Sequence, residues 1–210
     1  MKQNTSVLLR NRLKDLRNQI SPEQQEREGL LLRARLFTWL ANTQDAARDS
    51  GQAIPNIVAA YWPLANEPDL RPLMRQWDLN EVTVTLPVML GIAQPLAFHQ
   101  WDVETELFQG QFGVMEPPAR NPLIPDVVLV PTLGFTAQGD RIGYGKGFYD
   151  RTLADLRQAG HHPITIGIAW REGAIEALEP EYQAQPHDFR LDAILTPDGW
   201  VSHPPEFLNH

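Results

Sequence analysis

The sequence predicts a three-layer α/β sandwich around a mainly parallel sheet, preceded by an N-terminal helical segment. Three observations carry this. Short apolar runs rich in β-branched residues alternate with stretches of helical periodicity, the pattern of a sheet covered by helices. The runs end at proline or at glycine-rich turns, and the 18 prolines fall mostly between elements. The N-terminal segment shows only the 3–4 spacing of helices. At 210 residues, 42% of them hydrophobic, the chain can bury a core without staples. It reads as one domain, 1–210, with helices in 1–41 packed on the core.

The elements follow in chain order. Leu9, Leu13, Leu16 and Ile20 form one apolar helical stripe, and Arg10, Lys14 and Arg17 share a neighbouring face. Ser21, Pro22 and Gln24 read as N-cap, first helical residue and capping-box partner of a second helix that runs to about residue 40. Gly29 inside it costs about 1 kcal/mol in propensity. The polar, small residues of 42–54 predict a loop. Residues 57–61 form a buried strand ending at Pro63, and 69–77 a helix. Strands follow at 82–88, with Pro87 near its end, at 95–101, and at 127–130, closed by Pro131. A helix over 148–158 and strands over 164–169 and 193–195 complete the set.

Composition narrows the function. The absence of cysteine excludes disulfides and thiolate metal sites, and fits a reducing compartment. A net charge of −8 argues against nucleic acid as a partner. The first helix runs the other way: Lys2, Arg10, Arg12, Lys14 and Arg17 face only Asp15. An anionic ligand could sit there, but from charge alone this is a solvated face. No apolar run is long enough for a signal peptide or a membrane span, so the expected location is the cytoplasm.

The densest signal runs from Gly134 to Arg151, between the 127–130 strand and the 148–158 helix. Open α/β sheets bind ligands there, beyond the carboxyl end of a strand. Glycines at 143, 145 and 147 let the backbone approach a ligand and take up positive φ. Successive N–H groups can form an anion nest, and the following helix adds its positive end. Arg141 and Lys146 supply cations. Asp150, one turn into the helix, is a hard oxygen ligand suited to Mg²⁺ bridging a nucleotide. The loop is not a Walker motif, because Asp140 and Gly147 stand where that motif needs Gly and Ser or Thr. Its glycine spacing is also wrong for a dinucleotide fingerprint.

The run Arg141-Ile-Gly-Tyr-Gly-Lys-Gly-Phe-Tyr-Asp150-Arg151 is very similar to the signature of the 5-formyltetrahydrofolate cyclo-ligase family. Other segments resemble the family in order: Arg10 and Arg17 with Ile20-Ser-Pro-Glu23, then Tyr61-Trp-Pro-Leu-Ala-Asn-Glu67, Gly113-Val-Met-Glu116-Pro117 and Asp126 to Pro131. His187-Asp188 and Asp192 to Thr196 close the series. The resemblance implies a sandwich of the sugar-phosphate isomerase and CoA-transferase type. It also implies ATP-dependent cyclisation of 5-formyltetrahydrofolate to 5,10-methenyltetrahydrofolate, with release of ADP and phosphate, through a phosphorylated formyl group. Phosphoryl transfer needs positioning and charge neutralisation and no protein nucleophile.

By resemblance, Arg10 and Arg17 lie near the ATP phosphates. Arg141, Ile142, Gly143, Tyr144, Gly145, Lys146, Gly147, Phe148 and Tyr149 surround ATP and the formyl group, with Arg141, Lys146 and Tyr149 carrying the catalysis. Trp62 and Glu67, with 144–148, meet the folate, and Glu67 would bond the pterin N–H groups. Asp150 and Asp192 would hold Mg²⁺. The partners implied are ATP and a reduced folate, with no nucleic acid and no membrane. Each residue also has a plainer role. Trp62 and Phe148 suit the core, Arg17 a surface ion pair, Asp192 the cap of a turn, and His187 a structural site. Ser6 departs from the family's basic residue one turn before Arg10, and Lys2 replaces it only if the N-terminus folds back. Two other functions compete: isomerase or CoA-transferase work on the same sheet, and a non-catalytic folate- or nucleotide-binding paralogue.

Overall fold

Two helices open the chain in the computed structural model, which describes residues 2–179, 182, 184, 189–201 and 203–206. They are α1 (Lys2–Asn18) and α2 (Pro22–Asp49). Ser21 caps α2 by accepting the Gln24 N–H at 3.2 Å, with Pro22 in the first turn where its missing N–H costs nothing. The predicted loop over 42–54 is mostly helix, since α2 continues to Asp49. Gln44, Ala46, Ala47 and Arg48 favour helix, and the buried Ala47 anchors the last turns. The polar composition there marks an exposed face. Ser50 ends the helix, its hydroxyl donating to the carbonyls of Ala46 and Ala47.

The remaining elements are β1 (Ile57–Ala59), α3 (Arg71–Leu79), β2 (Thr83–Met89), β3 (Leu96–Trp101), β4 (Phe108–Gln109), β5 (Met115–Glu116), β6 (Val127–Pro131), β7 (Gly134–Phe135), β8 (Arg141–Ile142), α4 (Phe148–Gln158), β9 (Ile164–Ile168), β10 (Ala193–Thr196) and β11 (Gly199–Trp200). Seven strands form one sheet in the order β11-β10-β9-β6-β1-β2-β3. The inner five are parallel, and β3 and β11 run antiparallel at the edges. The pairs β4–β5 and β7–β8 are separate hairpins. Pro87 is tolerated inside β2 because β1 pairs only as far as Thr85.

Side chains alternate across the sheet. Val127 and Leu129 pack with Leu32, Leu36, Met74 and Trp77 of α2 and α3. Val128 and Val130 pack with Leu153 of α4 on the opposite face. The sheet is thus the middle of three layers. Helix α1 lies elsewhere: Leu9 and Leu13 pack on Leu133, Ile142 and Ile175 at the β7–β8 hairpin.

Carboxylates close the amino edge of the sheet. Asp126 Oδ2 accepts the N–H groups of Asn56 and Ile57, each at 2.8 Å. Asp192 Oδ2 accepts the Thr165 N–H at 2.8 Å and its hydroxyl at 2.6 Å. At the other edge the chain leaves β1 towards β2 on one side, while β6 docks on the other side. Such a switch point opens a crevice at the carboxyl ends of the strands.

Candidate active site

The crevice holds a cleft of about 320 Å³. Tyr61 and Trp62 after β1, Met89 at the end of β2, Pro131 at the end of β6 and the whole run from Arg141 to Asp150 line it. The loop therefore sits at the carboxyl edge, as its strand–loop–helix order requires. Gly145 and Gly147 adopt φ of 84° and 66°, which side chains disfavour. At Gly143 a Cβ would lie 2.8 Å from Arg141 Nη1, so a side chain there would require Arg141 to shift. Gly147 immediately precedes α4, so the N–H groups of the helix start face the cleft region.

The basic face of α1 meets this loop. Arg10 Nε donates to the Gly143 carbonyl at 3.2 Å. Lys14 Nζ and Arg17 Cζ lie 6.0 and 5.4 Å from the centre of the Tyr144 ring. Arg17 Nη1 donates to the Tyr144 hydroxyl, which donates in turn to Glu67 Oε1. The solvated-face reading of α1 and the surface pairing of Arg17 are both set aside, because Arg17 and Glu67 are 13% and 4% exposed. Ser6 lines the cleft one turn before Arg10. The Lys2 side chain, His187 and Asp188 lie outside the described residues.

Glu67 is buried, and its Oε2 accepts the Leu64 N–H at 2.8 Å. Burial raises its carboxyl above the usual range, against the opposing pull of Tyr144, Leu64 and Arg17. Burial likewise raises the Tyr144 and Tyr149 phenols, which therefore stay neutral donors. Trp62 is partly buried, lies tilted at 6.3 Å from Trp101 and carries Arg71 over its face, so it serves core and cleft together.

Arg141 is buried and pairs with Asp150, Nη2 to Oδ1 at 2.7 Å. The same oxygen accepts the Phe189 N–H at 3.2 Å. Arg141 Nε and the Tyr149 hydroxyl are buried with no hydrogen-bond partner among the described residues. Lys146 Nζ lies 4.9 Å from the Phe112 ring, and Phe148 packs 6.2 Å from the same ring.

Asp192 is not brought to Asp150. It stands at the amino edge of β10, bonded to Thr165 and grouped with Leu153 and Arg157. These bonds run to the neighbouring strand β9, and Asp192 is not among the residues that line the cleft with Asp150. Among the described residues no group of three or more His, Cys, Asp or Glu could hold a metal. A nucleotide-bridging Mg²⁺ needs less, since one carboxylate, phosphate oxygens and water suffice. Asp150 fits that requirement.

Several cleft residues were not anticipated from the sequence, among them Phe112, Glu116 and Met89. Phe112 and Glu116 come from the β4–β5 hairpin, and Met89 from the end of β2. Glu116 accepts the Met89 N–H at 3.3 Å, and burial raises its carboxyl. Its Met-Glu-Pro segment was visible, but strands of two residues give no periodicity from which to place it.

Over residues 2–197 the chain matches the 5-formyltetrahydrofolate cyclo-ligase family. It belongs to that family. A 5-formyltetrahydrofolate cyclo-ligase from Mycolicibacterium smegmatis is 34% identical over 151 residues, 67% of this chain and 73% of that protein. The Escherichia coli K12 enzyme of the same name is 28% identical over 191 residues, 88% of this chain and 96% of that protein. The solution structure of Aquifex aeolicus 5,10-methenyltetrahydrofolate synthetase superposes with a TM-score of 0.71 at 23% identity. It covers 98% of this chain and 94% of its own. The cyclo-ligases are ATP-dependent ligases of folate metabolism, and the isomerase and CoA-transferase alternatives fall away. Among the described residues no helix is long and apolar enough to cross a membrane.

Proposed function

We propose that this cyclo-ligase uses ATP to activate the formyl oxygen of 5-formyltetrahydrofolate and then closes the ring to 5,10-methenyltetrahydrofolate. One observation carries the reading. A single cleft joins a glycine loop, a helix start and basic side chains on one wall to a buried carboxylate, Glu67, on the other. The first wall suits a nucleotide tail and the second suits the N–H groups of a pterin.

In this reading the terminal phosphate lies over 143–147, with Arg10 and Lys146 placing it in line with the formyl oxygen. The formyl oxygen attacks the terminal phosphorus and ADP leaves. N10 then attacks the activated carbon, the phosphate departs with the former formyl oxygen, and the N10 proton is lost to solvent. Arg141 and the neutral Tyr149 hydroxyl, whose spare donors are unpaired among the described residues, would serve the oxygen that accumulates charge. Trp62 and Phe148 supply flat apolar walls. Asp150 is the residue that would hold Mg²⁺. That ion, when bound, would offset phosphate charge. The whole chain, 1–210, acts as one cyclo-ligase domain, and we place it in the cytoplasm.

The test is direct. The purified protein is mixed with 5-formyltetrahydrofolate, ATP and Mg²⁺, and methenyltetrahydrofolate is followed by its absorbance. ATP-dependent product growth is expected. Tight binding of both compounds without product would establish a non-catalytic paralogue instead.

A further inference from the structure

Tyr144 sits between two residues that the proposed function assigns to different substrates. Its hydroxyl accepts from Arg17 and donates to Glu67. Arg17 Nη1 is 3.9 Å from Glu67 Oε1, so without the tyrosine hydroxyl the two charges stand beyond hydrogen-bond distance. Glu67 Oε2 is already taken by the Leu64 N–H. An N–H group of a ligand that approaches Glu67 Oε1 meets an oxygen that already accepts from Tyr144. The tyrosine lies between Gly143 and Gly145 in a loop only partly buried, with the cations of Lys14 and Arg17 near its ring.

We propose that Tyr144 is a positioning residue that couples the two substrate subsites. In the free protein its hydroxyl ties Arg17 to Glu67. When a reduced pterin donates to Glu67, the tie opens, and Arg17 becomes available to a phosphate group. The inference rests on the placement of folate at Glu67 and nucleotide beside α1. It adds that the subsites communicate, and names the residue through which they do so. Glu67 is buried and disfavours its own charge. Exchanging one donor at Oε1 for another leaves that oxygen partnered in both states. Linkage then demands reciprocity: folate must tighten nucleotide binding by the same factor by which nucleotide tightens folate binding. The usual range for such coupling is roughly 5- to 150-fold.

The experiment is calorimetric titration of the full chain with a non-hydrolysable ATP analogue and Mg²⁺, with and without saturating 5-formyltetrahydrofolate. The reverse titration checks reciprocity. For the natural chain, analogue affinity is expected to rise at least about fivefold when folate is present. Tyr144→Phe keeps the ring and both cation contacts but loses the hydroxyl. In that variant the ratio is expected to fall to near one, while each ligand still binds alone. Arg17→Lys serves as the second variant: it keeps the charge but not the planar fork, and is also expected to lower the ratio. A natural-chain ratio of one, or an equal ratio in Tyr144→Phe, overturns the coupling and leaves the cyclo-ligase reading intact. Failure of the natural chain to bind 5-formyltetrahydrofolate or the analogue defeats that reading, and the coupling with it.

Discussion

Glu67 shows how a single carboxylate can be costly to fold and useful to keep. Its proton leaves the unfolded chain near the ordinary value of 4.5, but the folded protein releases it only at higher pH, because burial opposes the charge. Between those two values the folded state holds a proton that the unfolded state has lost, so stability falls as pH rises through the window. Glu67→Gln does not titrate. The melting temperature of the natural chain relative to this variant should therefore be higher at about pH 4.5 than at about pH 7.5. A difference that runs the other way would mean that Arg17 and Tyr144 outweigh burial. At this scale the sequence was informative where a residue's role depends on its near neighbours. Asp150 follows Gly147 by three positions, and both its exposure to the cleft and its closeness to the loop could be anticipated. Asp192 shows the limit: its partner is Thr165, and only the register of β9 on β10 brings them together. The Arg17–Tyr144–Glu67 chain was illegible for the same reason, as it joins three segments far apart in sequence.

Elements were legible in proportion to their length. α4 falls over 148–158 as its periodicity predicts, and β2, β3, β6 and β9 lie within a residue or two of their apolar runs. The hairpins β4–β5 and β7–β8 have strands of two residues and leave no periodic trace. The end of α2 was misplaced because its last turns are polar, whereas its beginning was marked by chemistry. Ser21→Ala removes the acceptor for the Gln24 N–H and should destabilise the protein by about 0.5–2 kcal/mol in urea unfolding. No measurable change would show that tertiary packing of α2 makes the cap redundant.

For the molecule as a whole, α1 carries the basic residues to the cleft only because its apolar stripe docks on the β7–β8 hairpin. Leu13 is 2% exposed, and a Cβ on Gly134 would come within 2.6 Å of its side chain. Leu13→Ala should lose about 2–5 kcal/mol of stability, whereas Leu13→Met should lose less than about 1.5 kcal/mol. If docking positions Arg10 and Arg17, folded Leu13→Ala should also bind an ATP analogue more weakly than Leu13→Met does. Equal affinities would separate the helix from the nucleotide. The strand order bears on time as well as on place. β1 meets β2 through the single connection over 60–82 that holds α3, but the Asp126 contacts that seat β6 on its other side span 70 and 69 residues. Closing so long a loop is slow, and it is opposed until the strands pair. The β1–α3–β2–β3 unit should form first, with β6 and everything after it added later. Removing the Asp126 carboxylate by alanine would then act late, accelerating unfolding far more than it retards refolding in a chevron. The active cleft, which needs both sides of β1, would be the last part of the protein to exist.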